Sequence, residues 1–308
     1  MNISLTINKI DTTLASIIHE DLKILTDIKK YVIQSGGKRI RPILHLVFCD
    51  LLETKSKDKW IVGSITELIH AASLLHDDVI DLAETRRGKK TVGTLYGNKT
   101  AILAGDFLLA CGIERLNRLN NHLLMEIFTQ VIRDLSVSEL LQMQWEKNPK
   151  ITLDIYDRII HGKTASLFGA ASESAAILAG MTRKEAKNIR EFGVQMGNLF
   201  QKRDDLLDYF TESKKSGKDF LRDFQNKLYT YPVLVLMSQA SSKDKKAIPK
   251  IIDSSDSSAI LKLMEIYGIE DLIQEEIQED INELLEFLTE FPESSSKTLI
   301  VEQIEKLR

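Results

Sequence analysis

Proline and glycine are scarce, at 5 and 15 in 308 residues. Such a chain lacks the punctuation of strand-turn-strand folds, and few of its segments alternate apolar and polar residues with period two. Cysteine is nearly absent. Cys49 and Cys111 each sit in an apolar stretch, with no spacing that suggests a disulfide framework or a zinc site, and they read as buried thiols in a reducing compartment. No apolar run reaches the roughly 18 residues of a membrane span; the nearest, from Ala101 to Ile113, is broken by Asp106. A large basic excess is also missing. The net charge of -4 and pI near 5.9 argue against a nucleic-acid or membrane-surface protein. The opening MNISLTINKI lacks a basic segment followed by an apolar one, so no secretion signal is expected. These absences predict a cytoplasmic protein without stable membrane insertion and without a nucleic-acid partner.

What is present is a helical pattern. The 43% hydrophobic content is enough for a large core. Apolar residues recur at three and four. Ile189, Phe192, Gly193, Met196, Leu199, Phe200, Leu207 and Phe210 trace one face of a long helix, and the stretch from Trp60 to Leu75 is apolar nearly all round, as a buried central helix should be. Breaks are expected near Ser35–Gly37, Glu53–Lys59, Arg86–Gly97, Lys147–Pro149, Ser213–Lys218, Ser241–Lys250 and Phe291–Ser295. The acidic segment from Asp271 to Glu290 reads as a solvated amphipathic helix. The expected fold class is all-α, and no linker marks a domain boundary, so residues 1–308 read as a single domain.

Two acidic motifs recur. The first is Asp77-Asp78-Val79-Ile80-Asp81 and the second Asp204-Asp205-Leu206-Leu207-Asp208. The outer Asp residues of each are four apart, so they share a helix face about one turn, ~5.4 Å, apart. Like charges at that spacing destabilise a helix, and toward a helix C-terminus the macrodipole adds to the penalty. A bound cation removes both costs. Oxygen ligands without His or Cys suit Mg2+. A single such motif is as readily a solvated helix end; two in one chain, each after an apolar helix, favour the metal.

Cations near these motifs decide the substrate class. Arg86 and Arg87 follow the first motif in a loop that continues Gly88-Lys89-Lys90. Gly36-Gly37-Lys38-Arg39-Ile40-Arg41-Pro42 stands near the N-terminus. Lys163-Thr164 follows His161-Gly162, and Gly217-Lys218-Asp219 and Lys227 follow the second motif. Lys and Arg in glycine-containing loops suit diphosphate groups. His70 stands seven residues before Asp77, and Gln201 three before Asp204. Each feature alone has a plainer explanation, as a solvated loop or a satisfied core histidine.

The ordered set GGKRIRP, LLHDDVIDLAETRRG, the Gly105-Asp106 segment, GKTA, QKRDDLLD and GKDFLRDFQNK resembles the trans-isoprenyl diphosphate synthase family, specifically its long-chain polyprenyl members. The resemblance covers about Gly36 to Pro232. It implies one large helical bundle around an apolar cavity, the isoprenoid synthase type I fold, and a homodimer. It implies a Mg2+-dependent enzyme joining isopentenyl diphosphate to an allylic diphosphate. Asp77, Asp78, Asp81, Asp204, Asp205 and Asp208 would hold Mg2+ that bridges to the allylic diphosphate. Arg86, Lys163, Thr164, Gln201, Lys218 and Lys227 would bind that group too. Lys38, Arg41, His70 and Arg87 would bind isopentenyl diphosphate. Asp77, Asp78, Asp81, Lys163 and Asp204 are the implied catalytic set. The chain departs from the family at Asn226, where a glycine often precedes the lysine.

Product length is read one turn before Asp77, where Ala72 and Ser73 are small enough to let a growing prenyl tail pass. Short-chain members close the pocket there with an aromatic residue or an insertion. The expected product is therefore long, such as octaprenyl diphosphate, with Phe128 as the implied tunnel floor. The rival readings are a short-chain farnesyl or geranylgeranyl diphosphate synthase, a class I terpene cyclase, a non-catalytic partner subunit of a synthase, and a helical scaffold with acidic patches.

Overall fold

A computed structural model describes residues 2–34, 37–210 and 221–308. Its elements are α1 (Ile3–Ile17), α2 (Lys23–Gln34), α3 (Ile40–Leu51), α4 (Lys59–Ile80), β1 (Thr85–Arg86), β2 (Lys89–Lys90), α5 (Val92–Tyr96), α6 (Asn98–Asn117), α7 (His122–Trp145) and α8 (Leu153–Ile160). A single π-helical turn, His161–Ala165, leads into α9 (Ser166–Leu178) and α10 (Lys187–Phe210). After the second acidic motif come α11 (Arg222–Gln225), α12 (Tyr231–Gln239), α13 (Ser242–Asp253), α14 (Ser257–Ile266), α15 (Ile269–Leu288) and α16 (Ser295–Glu305). Among the described residues the fold is all-α, as the apolar periodicity predicts, apart from one hairpin of two-residue strands. No helix among the described residues is long and apolar enough to cross a membrane.

The chain forms two compact units, each from discontinuous segments. The first comprises Met1–Arg133, Leu167–Gly193 and Phe291–Ile300. Its centre is α4, against which α1, α3 and α6 pack. Ile65, Leu68, Ile69, Ala72 and Leu75 of α4 are fully or almost fully buried, and burying each larger aliphatic side chain contributes about 1.5–3 kcal/mol. Close approach of α6 depends on two glycines. A Cβ on Gly112 would meet Leu68 at 3.5 Å, an ordinary contact, but a Cβ on Gly105 would lie 2.2 Å from Nε2 of His76. Position 105 therefore admits no side chain while the ring stays in place. His76 Nε2 lies 3.1 Å from the Ile102 carbonyl oxygen, so the residue just before the first acidic motif is tied to α6.

The second unit comprises Asp134–Ser166, Val194–Glu290 and Val301–Arg308. Here α12 sits on α8 and α15, and α14 touches both α13 and α15. One stripe of α15, from Ile269 through Ile273, Ile277, Ile281 and Leu284 to Leu288, is buried. The amphipathic helix expected from the sequence is present, with most of its acidic residues exposed, and three of them also hold partners within the unit. Tyr231 donates its hydroxyl proton to Glu276, Lys202 pairs with Asp280 at 2.8 Å, and Gln195 Nε2 donates to Glu283 at 3.2 Å. A correction concerns Ser241–Lys250. Ser241 accepts the Asp244 N–H at 3.2 Å and caps α13, which continues through Pro249.

Candidate active site

The first acidic motif closes α4. Asp77 is half-buried, Asp78 is 5% exposed, and Asp81 is the exposed C-cap. Burial raises the Asp78 carboxyl above its ordinary range, and Arg86 pulls it back down. Arg86 reaches Asp78 from β1, Nε to Oδ1 at 2.7 Å. The hairpin makes this possible. Arg87 and Gly88 connect β1 to β2 with φ of 51° and 74°, the doubly positive pattern of a tight hairpin turn. The sequence presents this stretch as a loop, with Arg87-Gly88 as its only turn signal.

A cavity of the first unit is lined by Arg39, His70, Asp78, Arg86, Arg87 and Lys89, with Tyr31, Leu74 and Leu75 on its walls. His70 is held well below its ordinary pKa, first by burial and then by Arg41, Arg87, Arg86 and Arg39. Four guanidinium groups thus impose a positive field on one neutral imidazole. Arg87 also presses on Gly37: a Cβ there would sit 2.8 Å from Nη1, and the backbone φ is 138°. The glycine loop before α3 and the hairpin tip therefore meet.

The expected cations fall differently within this region. Lys38 is exposed in the loop. Arg41 lies over the Phe168 ring at 4.6 Å, and among the described residues its buried Nε has no hydrogen-bond partner. Its pKa is lowered to about 10 by burial, with Glu67 opposing. Arg39, to which the sequence reading gives no role, is 4% exposed and pairs with Glu67 at 2.7 Å and Asp11 at 2.9 Å. Of the residues read for product length, Ala72 and Phe128 are 0% exposed, and half-buried Ser73 donates its hydroxyl proton to the His70 carbonyl at 3.0 Å.

The second acidic motif lies on α10 in the second unit. Asp205 is 3% exposed and accepts three hydrogen bonds: Tyr156 Oη–H at 2.7 Å, Gln201 Nε2–H at 2.8 Å and the Tyr231 backbone N–H at 3.2 Å. Burial nonetheless pushes its carboxyl up to about 6, partly offset by those donors. Asp208 accepts the backbone N–H groups of Arg222 at 3.1 Å and Asp223 at 3.0 Å, which fixes the start of α11. Asp223 is pushed up to about 7, first by burial and then by Asp205, Asp208 and Asp204. It lies within the GKDFLRDFQNK segment, but nothing in its spacing singles it out.

Lys163 and Thr164 stand on the π turn. Lys163 Nζ donates to Glu139 Oε2 at 2.8 Å and Gln142 Oε1 at 3.0 Å, both on α7. Gly162 permits this approach, because a Cβ there would lie 2.7 Å from the Asp134 carbonyl oxygen and 2.6 Å from Ser138 Cβ. Thr164 donates to Gln201 Oε1 at 3.1 Å, and Gln201 passes the chain on to Asp205. Glu139 and Gln142, three apart on one helix face, give no signal beyond that spacing. Lys227 is exposed with φ 62°, whereas Asn226 has φ -79°. The departure from glycine at 226 therefore costs no backbone strain. Lys218 lies outside the described residues.

The donor set fits a hard dication. The acidic residues of both motifs offer oxygen only, and those around Asp223 raise its pKa, an excess of negative charge that a cation relieves. Among the described residues no three His, Cys, Asp or Glu converge as a ready-made metal cage. An ion that keeps waters and takes substrate phosphates as ligands, as Mg2+ does, needs no such cage.

The model of the polyprenyl synthetase family matches residues 22–269 of this chain. The chain is 34% identical over 288 residues, 92% of its length and 88% of the relative's, to the geranyl-diphosphate-specific all-trans-nonaprenyl-diphosphate synthase of Rhodobacter capsulatus. It is 31% identical over 245 residues to the octaprenyl diphosphate synthase of Escherichia coli, covering 80% of this chain and 76% of that one. Its fold is similar, at a TM-score of 0.88 and 26% identity, to a Caulobacter crescentus polyprenyl synthase crystallised with calcium and isoprenyl diphosphate, covering 99% of this chain and 94% of that one. The chain belongs to the polyprenyl synthetase family, whose members are prenyltransferase enzymes.

Proposed function

We propose that this family member is a Mg2+-dependent synthase that condenses isopentenyl diphosphate with an allylic diphosphate and makes a long all-trans polyprenyl diphosphate of the octaprenyl class. The observation that carries the reading is the cavity of the first unit, which gathers Arg39, Arg86, Arg87, Lys89 and His70 around Asp78 of the first acidic motif. Such a concentration of guanidinium beside an acidic motif suits a diphosphate head group far better than a neutral ligand. Arg87 and His70 would hold isopentenyl diphosphate, with Lys38 and Arg41 contributing charge. Arg86, Lys163, Thr164, Gln201, Lys218 and Lys227 would serve the allylic diphosphate. Interleaving of the two units along the chain, and a family match spanning both, support one synthase domain over residues 1–308.

Burial sorts the carboxylates. A Mg2+ ion needs room for water and phosphate oxygens. In the first unit the less buried Asp77 and Asp81 would hold Mg2+ directly, with the deeply buried Asp78 behind them; in the second, Asp204 and Asp208 would do so, with the deeply buried Asp205 behind them. When bound, the metal supplies Lewis-acid neutralisation of the departing diphosphate. Lys163 and Arg86 would add fixed positive charge where the leaving group gains negative charge. His70 stays neutral, so it would orient its substrate through an N–H rather than by charge. The apolar length of α4 leading to Asp77 would keep water from an allylic cation.

The small side chain of Ala72, one turn before the first motif, is what would let a long tail pass. Exposed apolar side chains support a homodimer: Ile102 and Leu103 on α6, and Val137, Leu140 and Met143 on α7. Cys49 and Cys111, both free thiols, fit a reducing cytoplasm. The test is Arg87→Ala in steady-state kinetics. The KM for isopentenyl diphosphate should rise about tenfold or more, the loss of one charge-assisted contact, while the KM for the allylic diphosphate stays within about twofold. Equal changes in both constants would contradict the assignment.

A further inference from the structure

We infer that Tyr156 and Tyr231 are positioning residues of the second acidic motif, and that Tyr231 links this motif to the acidic stripe of α15. The inference rests on the metal-dependent reading above and goes beyond it, since neither tyrosine belongs to the motifs.

Asp205 has almost no contact with solvent, so its orientation is set by the protein. Its Oδ2 accepts from both tyrosines, from the Tyr156 hydroxyl at 2.7 Å and from the Tyr231 backbone N–H at 3.2 Å. Its Oδ1 accepts from Gln201 at 2.8 Å. The carboxylate is thereby fixed in plane and in rotation. Asp204 is its neighbour on the same helix, so the register of α10 at the metal ligands is fixed with it. The tyrosine rings stack at 5.6 Å with a 32° tilt, which restrains the Tyr156 hydroxyl as well.

The far side of Tyr231 faces the other way. Its hydroxyl donates to Glu276 on α15. Lys202 joins the group, 2.8 Å from Asp280 and 3.9 Å from Glu276. One residue therefore carries a hydrogen bond to α15 through its side chain and one to Asp205 through its backbone. Partners behind metal ligands of this kind typically change metal affinity about 10–100-fold when removed.

The test uses the full chain and a readout other than turnover: the rise in melting temperature on titrating Mg2+ in the presence of inorganic diphosphate. Tyr156→Phe should need about tenfold or more Mg2+ for half of the rise, and Tyr231→Phe should shift the requirement in the same direction by less. In turnover, the Mg2+ requirement of Tyr156→Phe should rise while the KM for isopentenyl diphosphate is unchanged. Equal Mg2+ half-saturation in both variants and wild type overturns the inference and leaves the proposed function standing. If Tyr156→Phe does not fold, Tyr231→Phe and Glu276→Gln decide alone, and unchanged half-saturation in both overturns it. Wild type showing no Mg2+- and diphosphate-dependent rise overturns the proposed function and the inference together.

Discussion

Arg86 and Asp78 meet Nε to Oδ1 at 2.7 Å, a pair made by the hairpin folding back onto the end of α4. The aspartate is almost wholly buried, and the arginine side chain is one-third exposed. The contact therefore joins the hairpin to the buried carboxylate of the first acidic motif.

Arg86→Ala removes the partner of a buried carboxylate. Stability should fall by about 1–3 kcal/mol, since an unsatisfied buried group costs that much, and the partial exposure of Arg86 keeps the loss below that of a fully buried pair. Turnover should fall about 100-fold or more, as for loss of one preorganised charge-stabilising group. Thermal melting and kcat measured on the same sample check both.

Gly105→Ala places a methyl group against the His76 ring, where the open distance is 2.2 Å. Overpacking of this kind typically costs about 1–3 kcal/mol. The melting temperature should drop, and activity should drop further than stability, because His76 directly precedes Asp77. Activity retained alongside an unchanged melting temperature would show that the ring moves aside freely.

Helices and acidic motifs are legible in the sequence because each rests on local spacing. The run from Trp60 to Leu75 marks α4, and Asp77 to Asp81 ends it. The hairpin is not legible, since its strands are two residues each and only Arg87-Gly88 hints at it. Arg39 escapes because its importance lies in pairing with Asp11 and Glu67, a contact between distant segments that no spacing shows. Tyr156, Tyr231 and Glu139 escape for the same reason. Ser241 to Lys250 looks like a break because it is polar and ends near a proline; the Ser241 cap and the buried Ile248 and Ile252 outweigh that.

Asp205 and Asp223 titrate high, at about 6 and about 7, chiefly because burial disfavours their charged forms. An unfolded chain binds these protons only below about pH 4. Between about pH 4 and 7 these two carboxyls hold more protons in the folded, metal-free protein than in the unfolded one, so their contribution to stability falls as pH rises through that window. This contribution is fully present below about pH 4 and gone above about pH 7. Because buried His70 acts in the opposite sense, the decline is read as the difference between melting series of wild type and Asp223→Asn across the window, and Mg2+ with inorganic diphosphate should shrink it, because the cation stabilises the ionised forms.

Ala72→Phe fills the buried centre of α4 one turn before the first motif. The expected outcome is a shorter prenyl product, read by chromatography, with condensation activity retained. An unchanged product length in a folded, active variant would remove Ala72 from the path of the tail.

Metal-dependent chain elongation is the activity proposed for this protein. Purified protein incubated with farnesyl diphosphate and labelled isopentenyl diphosphate, with and without Mg2+, and followed by product sizing, tests it most directly. A long prenyl diphosphate formed only with Mg2+ is the predicted result. A product stopping at three or four isoprene units would contradict the long-chain assignment, and no product from any allylic primer would contradict catalysis itself.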